Sequence, residues 1–481
     1  MASSKFNSVK AALVGASLAS TLVTPAAHAA PRTPNVVIIF TDDQGYADVG
    51  SFGAKGFTTP NLDQLAREGR RFTNFHVPSP SCTASRAALL TGCYPNRIGM
   101  LNVLLPNSPI GLSAGETTLP QIFKAKGYAT SMVGKWHLGD APRFLPTNRG
   151  FDEYYGLPYS NDMWPHRRQS PQSYPPLPLI EGTKAINPDV QPEDQAQLTT
   201  NYTERAVKFI DKNKDKPFFL YLAHNMPHVP LYVSDKFKGK SKLGLYGDVI
   251  EELDWSVGEV SKALSRNQLE NNTLVIFASD NGPWLSYGDH AGSALPFREG
   301  KQNNWEGGTR VPCIMRWPGQ IPANTVSNDM VMTIDLLPTL ARQLDVPLPA
   351  HPIDGLDVWP LLTGQTGAKN PHQAYFYYFG NNDLQAVTSG DGRWKLVFPH
   401  TYRTLDGQPG GKDGLPVPYV NRTVEKIELY DLETDLGETK NVADAHPEIV
   451  ARLQVEAERA REELGDGATK RTGKGVRPPG Q

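Results

Sequence analysis

A cysteine at the start of a short predicted helix is the first candidate for chemistry in this 481-residue chain. Cys82 lies in the block Pro80–Gly92, with Arg86 one helical turn later and Gly92 where a helix would end. The N–H groups at a helix N-terminus favour anions, so this position suits a group that acts on a negatively charged substrate. The alternative is a cysteine that only packs at the start of a helix.

Two pairs of oxygen-bearing side chains follow apolar runs of the sequence. Asp42 and Asp43 come after the run that ends at Phe40, and Asp280 and Asn281 come after the run that ends at Phe277. Taken singly, each pair is a candidate turn or helix cap. Taken together, they predict a Ca²⁺ site, with Mg²⁺ as the alternative, because hard oxygen ligands without cysteine or histidine disfavour zinc.

Four residues that carry positive charge or protons stand in similar places: Lys135, His137, His228 and Lys301. Each has a plain alternative as a solvated lysine or a loop histidine. Together with a helix N-terminus and a metal site, they predict a pocket for an anionic ester.

The elements that must position these residues are strands alternating with helices. Four apolar runs are predicted to be strands: 35–40, 128–133, 217–222 and 273–277. Helices are predicted between them, among others over 61–70, 118–126 and 200–213. This alternation predicts an α/β fold with a large, mostly parallel sheet between helices. Ligands of such sheets bind beyond the carboxyl ends of the strands, where every polar cluster named above would lie.

The rest of the chain predicts further segments. Residues 160–195 hold seven prolines and little periodicity, which indicates a long loop. Strands at 374–378, 393–398 and 426–431 and a helix over 447–464 indicate a smaller antiparallel α+β domain. We therefore divide the mature chain into a catalytic domain (31–370), a C-terminal domain (371–465) and a disordered tail (466–481).

The first thirty residues predict a signal peptide. Lys5 and Lys10 precede a weakly apolar stretch, and Ala27-His28-Ala29 suits cleavage, so we expect export to the periplasm or the medium. The apolar stretch is too short for stable membrane insertion. With 48 basic and 50 acidic residues, the net charge of −2 gives no general attraction to nucleic acid.

The cysteine content excludes a disulfide scaffold. Cys82, Cys93 and Cys313 are the three cysteines of the sequence, and if Cys82 is modified the other two either pair or stay free. The oligomeric state is not encoded in any pattern that we recognise.

The block Cys82-Thr83-Ala84-Ser85-Arg86 resembles the signature C-x-[PA]-S-R of the type I, formylglycine-dependent sulfatases. The chain is most similar to the arylsulfatase A-like branch of the alkaline phosphatase-like superfamily. Further matching blocks follow in the family's order over nearly all of the mature chain: 35–50, 134–139, 150–162, 224–230, 279–282, 299–312 and 429–441. Ala84 replaces the commoner proline, and Cys93 stands where the branch often has arginine.

The resemblance implies a sulfuric ester hydrolase that acts on an aryl sulfate or a sulfated sugar. It implies that Cys82 is oxidised to formylglycine by a formylglycine-generating enzyme, and that the hydrate of this aldehyde is the nucleophile. It further implies these roles: Ca²⁺ ligation by Asp42, Asp43, Asp280 and Asn281; support of the formylglycine by Arg86; sulfate or substrate binding by Lys135, Ser160, His228 and Lys301; and proton transfer by His137 and His228. The alternatives are a phosphonate or phosphate ester hydrolase of the same superfamily and a non-catalytic sulfoglycan-binding protein.

Overall fold

The computed structural model describes residues 1–5, 7–8 and 33–481. Residues Met1–Arg32 and Thr33–Gln481 form two separate units, and the fold below is that of the second. Most of the predicted signal peptide, including its cleavage site, lies outside the described residues. In the part of the chain that the structure describes, no helix combines the length and the apolar character that a membrane crossing requires.

Eighteen strands lie in the described residues: β1 (Asn35–Thr41), β2 (Arg70–Phe72), β3 (Phe75–His76), β4 (Ala129–Gly134), β5 (Glu153–Gly156), β6 (Leu179–Glu181), β7 (Lys184–Asn187), β8 (Phe218–Ala223), β9 (Thr273–Ser279), β10 (Cys313–Arg316), β11 (Thr325–Ser327), β12 (Val331–Met332), β13 (Ala374–Phe379), β14 (Asp383–Ser389), β15 (Trp394–Val397), β16 (His400–Thr404), β17 (Val420–Val424) and β18 (Glu428–Asp431). The α-helices of the same residues are α1 (Pro60–Glu68), α2 (Cys82–Thr91), α3 (Leu119–Lys124), α4 (Pro192–Gln195), α5 (Leu198–Lys212), α6 (Gly244–Arg266), α7 (Glu306–Thr309), α8 (Leu336–Gln343), α9 (Trp359–Leu362) and α10 (Pro447–Leu464).

A ten-stranded sheet forms the centre of the molecule, in the order β11-β2-β10-β9-β1-β8-β4-β5-β6-β7. Its middle strands, β9, β1, β8, β4 and β5, run parallel, while β10 and β6 begin antiparallel flanks at the two sides. These central strands are buried and almost wholly apolar because helices cover both faces. The predicted α/β class and mostly parallel sheet are confirmed.

The two faces of the sheet bury different side chains of the same strands, as the twofold alternation of a strand requires. Val36 and Ile38 of β1 pack with α2, α3 and α8. Val37 and Ile39 pack with α1, α5 and α6 on the other face. Packing on both faces therefore fixes the positions of the strand ends, as a site built from residues at those ends requires.

The C-terminal part is a four-stranded antiparallel sheet, β13-β14-β15-β18, against which α10 packs. It confirms the predicted α+β character and adds β14, which the sequence analysis did not identify. Tyr94 and Trp305 of the larger part belong to the same apolar cluster as this sheet. The C-terminal sheet thus has an apolar cluster of its own, which also takes in residues before the predicted boundary at residue 370, and Thr33–Gln481 is one compact unit.

Two segments differ from the predictions. The proline-rich stretch 160–195 is not a plain loop, because β6 and β7 form a hairpin that extends the central sheet. Residues 466–481, which we define as the C-terminal strap, are not disordered. Arg477 pairs with the buried Glu116 at 2.7 Å, and Gly480 exchanges backbone hydrogen bonds with Gly111. The composition of the strap predicted disorder because it does not reveal the partners of the strap, which include Glu458 and Glu462 of α10 and Glu116, 361 positions before Arg477.

Candidate active site

The candidate residues meet at one edge of the central sheet. Asp42 and Asp43 follow β1, and Asp280 and Asn281 follow the neighbouring strand β9. His228 follows β8, on the other side of β1, and Lys135 and His137 follow β4, the next strand along. The rule that ligands bind beyond the carboxyl ends of parallel strands thus brings together residues about 240 positions apart, as the separation of Asp43 and Asp280 shows.

Carboxylates form the floor of the site and are fully or almost fully buried. The backbone N–H of Asp43 donates to Asp280 Oδ1 at 3.0 Å, and Asn281 Nδ2 donates to Asp43 Oδ1 at 2.7 Å. Burial and the neighbouring Asp42 carboxylate raise the pKa of Asp280 to about 7. Like charges held this close without water are unfavourable unless cations compensate them.

Three cations supply that compensation. Arg86 pairs with Asp280 at 2.8 Å, Lys301 pairs with Asp43 at 2.7 Å, and Lys135 hydrogen-bonds to Asp42 Oδ2. Lys135 also donates to the hydroxyl of Ser160 at 3.2 Å. The floor therefore contains equal numbers of carboxylates and cationic side chains, all of them buried.

Two oxygens of this floor, Asp42 Oδ1 and Asn281 Oδ1, are buried without a hydrogen-bond partner among the described residues. A buried oxygen without a donor is costly, so such oxygens indicate a ligand that they would bind. Two overlapping groups, Asp42–Asp43–His228 and Asp42–Cys82–Asp280, bring potential ligand atoms within 4.8 Å of one another. The oxygen-rich donor set fits a hard divalent cation.

Cys82 is the first residue of α2 and is 2% exposed. Its neighbour Ser81 is extended, so the helix begins at the cysteine as the sequence predicts. The helix thereby directs its free N–H groups and the positive end of its dipole into the site. Burial raises the pKa of the Cys82 thiol, and Lys135 opposes this effect.

The two histidines are buried and hydrogen-bonded to backbone carbonyls. His137 Nε2 lies 3.0 Å from Leu104 O, and its Nδ1 has no partner among the described residues. His228 Nδ1 lies 2.6 Å from Val229 O, and its Nε2 lies 3.6 Å from Asp43 Oδ2. Burial, followed by repulsion from a nearby lysine, holds the pKa of both imidazoles below the usual range, to about 4 for His228.

Local backbone geometry explains the sequence around the lysine and the histidine. Gly134 has φ +113°, and a Cβ there would lie 1.8 Å from Ala223 O, so no other residue fits where β4 ends against β8. His137 and Asp43 adopt left-handed φ values of 61° and 64°. Non-glycine residues rarely adopt this conformation, and it recurs at functional sites.

The sequence analysis missed Trp284, which stands three residues after Asn281. Its ring centroid lies 4.7 Å from the Lys301 ammonium and 5.7 Å from the His228 ring. The only available signal was its place just beyond a predicted ligand pair. Two other aromatic side chains, Trp164 and Tyr402, have packing roles: Trp164 is buried in the core, and Tyr402 packs on Trp305.

Known proteins resemble this chain over most of their length. The chain is 39% identical to arylsulfatase A of Homo sapiens over 474 residues, covering 92% of this chain and 90% of the relative. It is 35% identical to N-acetylgalactosamine-6-sulfatase of Canis lupus familiaris, covering 89% and 85%. The crystal structure of the PsFucS1 sulfatase from Pseudoalteromonas sp. superimposes with a TM-score of 0.79 at 28% identity, covering 89% and 90%.

Two family descriptions match the chain: Sulfatase over residues 34–346, and N-sulphoglucosamine sulphohydrolase, C-terminal, over residues 300–405. The first spans the central sheet and nearly all of the site residues described above. From its sequence, its fold and its relatives, the chain belongs to the sulfatase family and is a sulfate ester hydrolase.

Proposed function

We propose that this sulfatase cleaves an aryl or saccharide sulfate monoester with a nucleophile made from Cys82 and a Ca²⁺ ion. The observation that carries the proposal is the meeting of Cys82, three carboxylates and three cations in one buried site. The names of the relatives, arylsulfatase A and N-acetylgalactosamine-6-sulfatase, support these two substrate classes.

Asp42, Asp43, Asp280 and Asn281 would hold the cation, with Mg²⁺ as the alternative. The oxygens of Asp42 and Asn281 that lack a hydrogen-bond partner support this ligand set. A bound divalent ion supplies Lewis acidity that polarises a sulfuryl oxygen and lowers the pKa of a nearby hydroxyl. Carboxylates engaged by such an ion would leave Lys135 free for substrate.

Lys135, Ser160 and Lys301 would bind the sulfate oxygens. Their polar groups already contact each other or the carboxylate floor, at 3.2 Å for Lys135 and Ser160 and 2.8 Å for Lys301 and Asp43 Oδ2. Ammonium groups in a water-poor site stabilise charge that develops on the leaving oxygen more strongly than they would in water. Arg86, which donates a hydrogen bond to Asp280, would hold the Asp280 carboxylate in a fixed position relative to the Cys82-derived group.

Formylglycine at position 82, once hydrated, offers two geminal hydroxyls, one for attack on sulfur and one for release of sulfate. The neutral imidazole of His137 would accept the proton that this release requires. Its Nε2–H donates to Leu104 O, which leaves the lone pair of the buried Nδ1 without a competing donor among the described residues. A low pKa keeps this nitrogen in its basic form at neutral pH.

His228 would donate a proton to the departing alcohol. The Val229 carbonyl accepts from Nδ1–H, so Nε2 is the atom that faces the Asp43 side of the site. Because burial lowers the pKa of His228 to about 4, Nε2 has to take up a proton in the substrate-bound site before it can donate one. Lys301 is the alternative acid. Burial works to lower the pKa of Lys301, but Asp43 outweighs it and the pKa is raised, which favours His228 for the role.

The modification at Cys82 would be made by a formylglycine-generating enzyme before or during export. The predicted signal peptide supports export to the periplasm or the medium, outside the reducing cytoplasm. A sulfated saccharide or a small aryl sulfate would then be the partner of the mature enzyme.

Counting thiols in purified active protein, with peptide mass spectrometry, tests the proposal. All three cysteines are buried and unpaired in the structure, and burial raises the pKa of Cys93 to about 12. Native protein should therefore react slowly with iodoacetamide. Unfolded protein should show two thiols, Cys93 and Cys313, and the peptide with position 82 should carry an aldehyde.

Three thiols in fully active protein would refute the modified nucleophile. Cys82→Ala should fold and lose nearly all turnover, and Cys93→Ala is the matched control that should keep it. Faster cleavage of nitrophenyl phosphate than of nitrophenyl sulfate would instead favour the phosphoester alternative.

A further inference from the structure

An aromatic wall stands beside the proposed sulfate-binding cations, and its members have no role in the chemistry above. Trp284 is partly exposed and lies between His228 and Lys301, with Tyr287 packed edge-on against it at 4.9 Å. The face of an aromatic ring is a favourable surface for the C–H groups of a sugar ring and for cations. This wall borders the place where the alcohol part of the ester would leave.

Arg403 completes the wall from the C-terminal part of the chain. Its guanidinium carbon lies 4.4 Å from the ring centroid of Tyr419 and 5.9 Å from that of Trp284. One of its N–H groups donates to the backbone oxygen of Lys301 at 3.1 Å. Arg403 therefore touches the segment that carries a sulfate-binding lysine.

No carboxylate within residues 33–481 lies at ion-pair distance from Arg403, although Asp43 and Glu299 are close enough to attract its charge. Its Nε is buried without a hydrogen-bond partner among the same residues. Arg167 differs, because its guanidinium lies 3.6 Å from the Asp162 carboxylate.

The charges in the floor of the site balance one another without Arg403, which points to a role for Arg403 outside the floor. Three buried carboxylates already match three buried cations, so Arg403 adds a positive charge that the floor does not need. A guanidinium with free donors beside a ligand site binds planar or tetrahedral oxyanions through charge-assisted hydrogen bonds. In the proposed mechanism, Lys135 and Lys301 already bind the ester sulfate that is cleaved.

We propose that Trp284 and Arg403 form a leaving-group subsite that selects a sulfated sugar bearing a second anionic group close to the scissile sulfate. The sugar ring packs on Trp284, and the second anion, a sulfate or a carboxylate, binds Arg403. This inference rests on the proposed sulfate ester hydrolysis and assigns its substrate class.

The test compares kcat/KM for three substrates in the mature enzyme. They are a monosulfated hexosamine, the same sugar with a second sulfate, and a disaccharide in which a uronate supplies the second charge. We expect wild-type enzyme to prefer at least one doubly charged substrate by about tenfold or more. Arg403→Gln should remove most of this preference, and Arg403→Lys should restore part of it.

Arg422→Gln is the matched control, because Arg422 lies on the adjacent strand β17, opposite Tyr402, and pairs with the exposed Asp406. It should leave the preference unchanged. Trp284→Ala should raise KM for all three saccharides.

Equal kcat/KM for singly and doubly charged sugars in wild-type enzyme would overturn the subsite. An equal loss on all substrates in Arg403→Gln would also overturn it, because that result marks Arg403 as a support for Lys301 alone. Nitrophenyl sulfate separates the two levels of the argument: if the enzyme does not cleave it or any sulfated sugar, the proposed function itself fails.

Discussion

Lys395 is the residue whose loss the structure predicts to be most damaging outside the site. Its ammonium is fully buried between Glu306 and Glu438, at 2.9 Å from each, and donates to the backbone oxygen of Asn304 at 2.7 Å. It thereby ties β15 of the C-terminal sheet to the segment that follows Lys301. Lys395→Met keeps the length of the side chain and removes only the charge and its hydrogen bonds.

The size of the destabilisation follows from the buried carboxyl groups that Lys395→Met leaves without their lysine. Burial and the neighbouring Glu306 raise the pKa of Glu438 to about 7, whereas the pKa of Glu306 is held near 2, because the attractions of Lys395, His76 and Arg310 together outweigh burial. At neutral pH the variant retains at least one buried carboxylate without its lysine. Removing one partner of a buried ion pair costs about 3–5 kcal/mol, a large share of the ~5–15 kcal/mol that stabilises a typical domain.

The assay is denaturant unfolding followed by tryptophan fluorescence, since Trp394 and Trp305 lie in the same apolar cluster. The stability deficit of Lys395→Met should shrink as pH falls from about 8 to 5.5. The folded-state pKa of Glu438, already about 7, lies above the unfolded value of about 4.5, and loss of the ammonium moves it further up, whereas Glu306 keeps its pair with Arg310 at 3.3 Å. Stability is then lost as pH rises through the folded value of Glu438 and regained below it.

Two further variants make the result decisive. Adding Glu438→Gln to Lys395→Met should recover part of the loss, because it removes a carboxylate that has no partner. Arg393→Gln, which breaks an exposed pair with Asp431 next to the same strand, should have no measurable effect. A deficit below about 1 kcal/mol, or one that does not vary with pH, would refute the reasoning.

Three other predictions concern the site and the strap. Asp280→Ala should weaken Ca²⁺ binding in calorimetry by at least about tenfold more than Asn281→Ala, because it removes a charge as well as an oxygen. His228→Ala should slow cleavage of sugar sulfates by about 10²–10⁴-fold and nitrophenyl sulfate far less, since nitrophenolate leaves without a proton. His137→Ala should slow both substrates alike, and a larger effect on the sugar would reverse the assignment. Arg477→Gln should make the C-terminal strap sensitive to limited proteolysis, whereas unchanged resistance would mean that its other contacts, such as the pair of Arg471 with Glu458, hold it.

The sequence predicted the parts of the site that depend on local pattern. Asp42 and Asp280 follow apolar runs whose length and β-branched content identify buried parallel strands, and the ends of such strands meet at one edge. Cys82 stands at a helix start that Gly92 helps to define from the other end. Each of these inferences needs only neighbours within one element and the general geometry of an α/β sheet.

The parts that sequence could not provide depend on partners far away in the chain. Lys395 looks like an ordinary strand lysine until Glu306, 89 positions earlier, is placed against it. The strap after Gly465 has the composition of a disordered tail, and its contacts with distant Glu116 and Gly111 help to explain why it is ordered. Amino-acid composition reflects the local conformational preference of a segment, whereas these ion pairs and hydrogen bonds form only in the folded chain.

The order of strands explains why the chemistry divides as we propose. β9 and β1 are neighbours, so the oxygen ligands that follow them share one side of the site. β8 and β4 continue the sheet on the other side of β1, so His228, Lys135 and His137 approach from the opposite side. A slip of one residue in the register of β1 would turn every side chain of the strand to the other face of the sheet. Asp42 and Asp43 would then be displaced, and the metal ligands would be separated from the acid–base pair. The apolar alternation of β1, with Val36 and Ile38 on one face and Val37 and Ile39 on the other, fixes that register and so fixes the site.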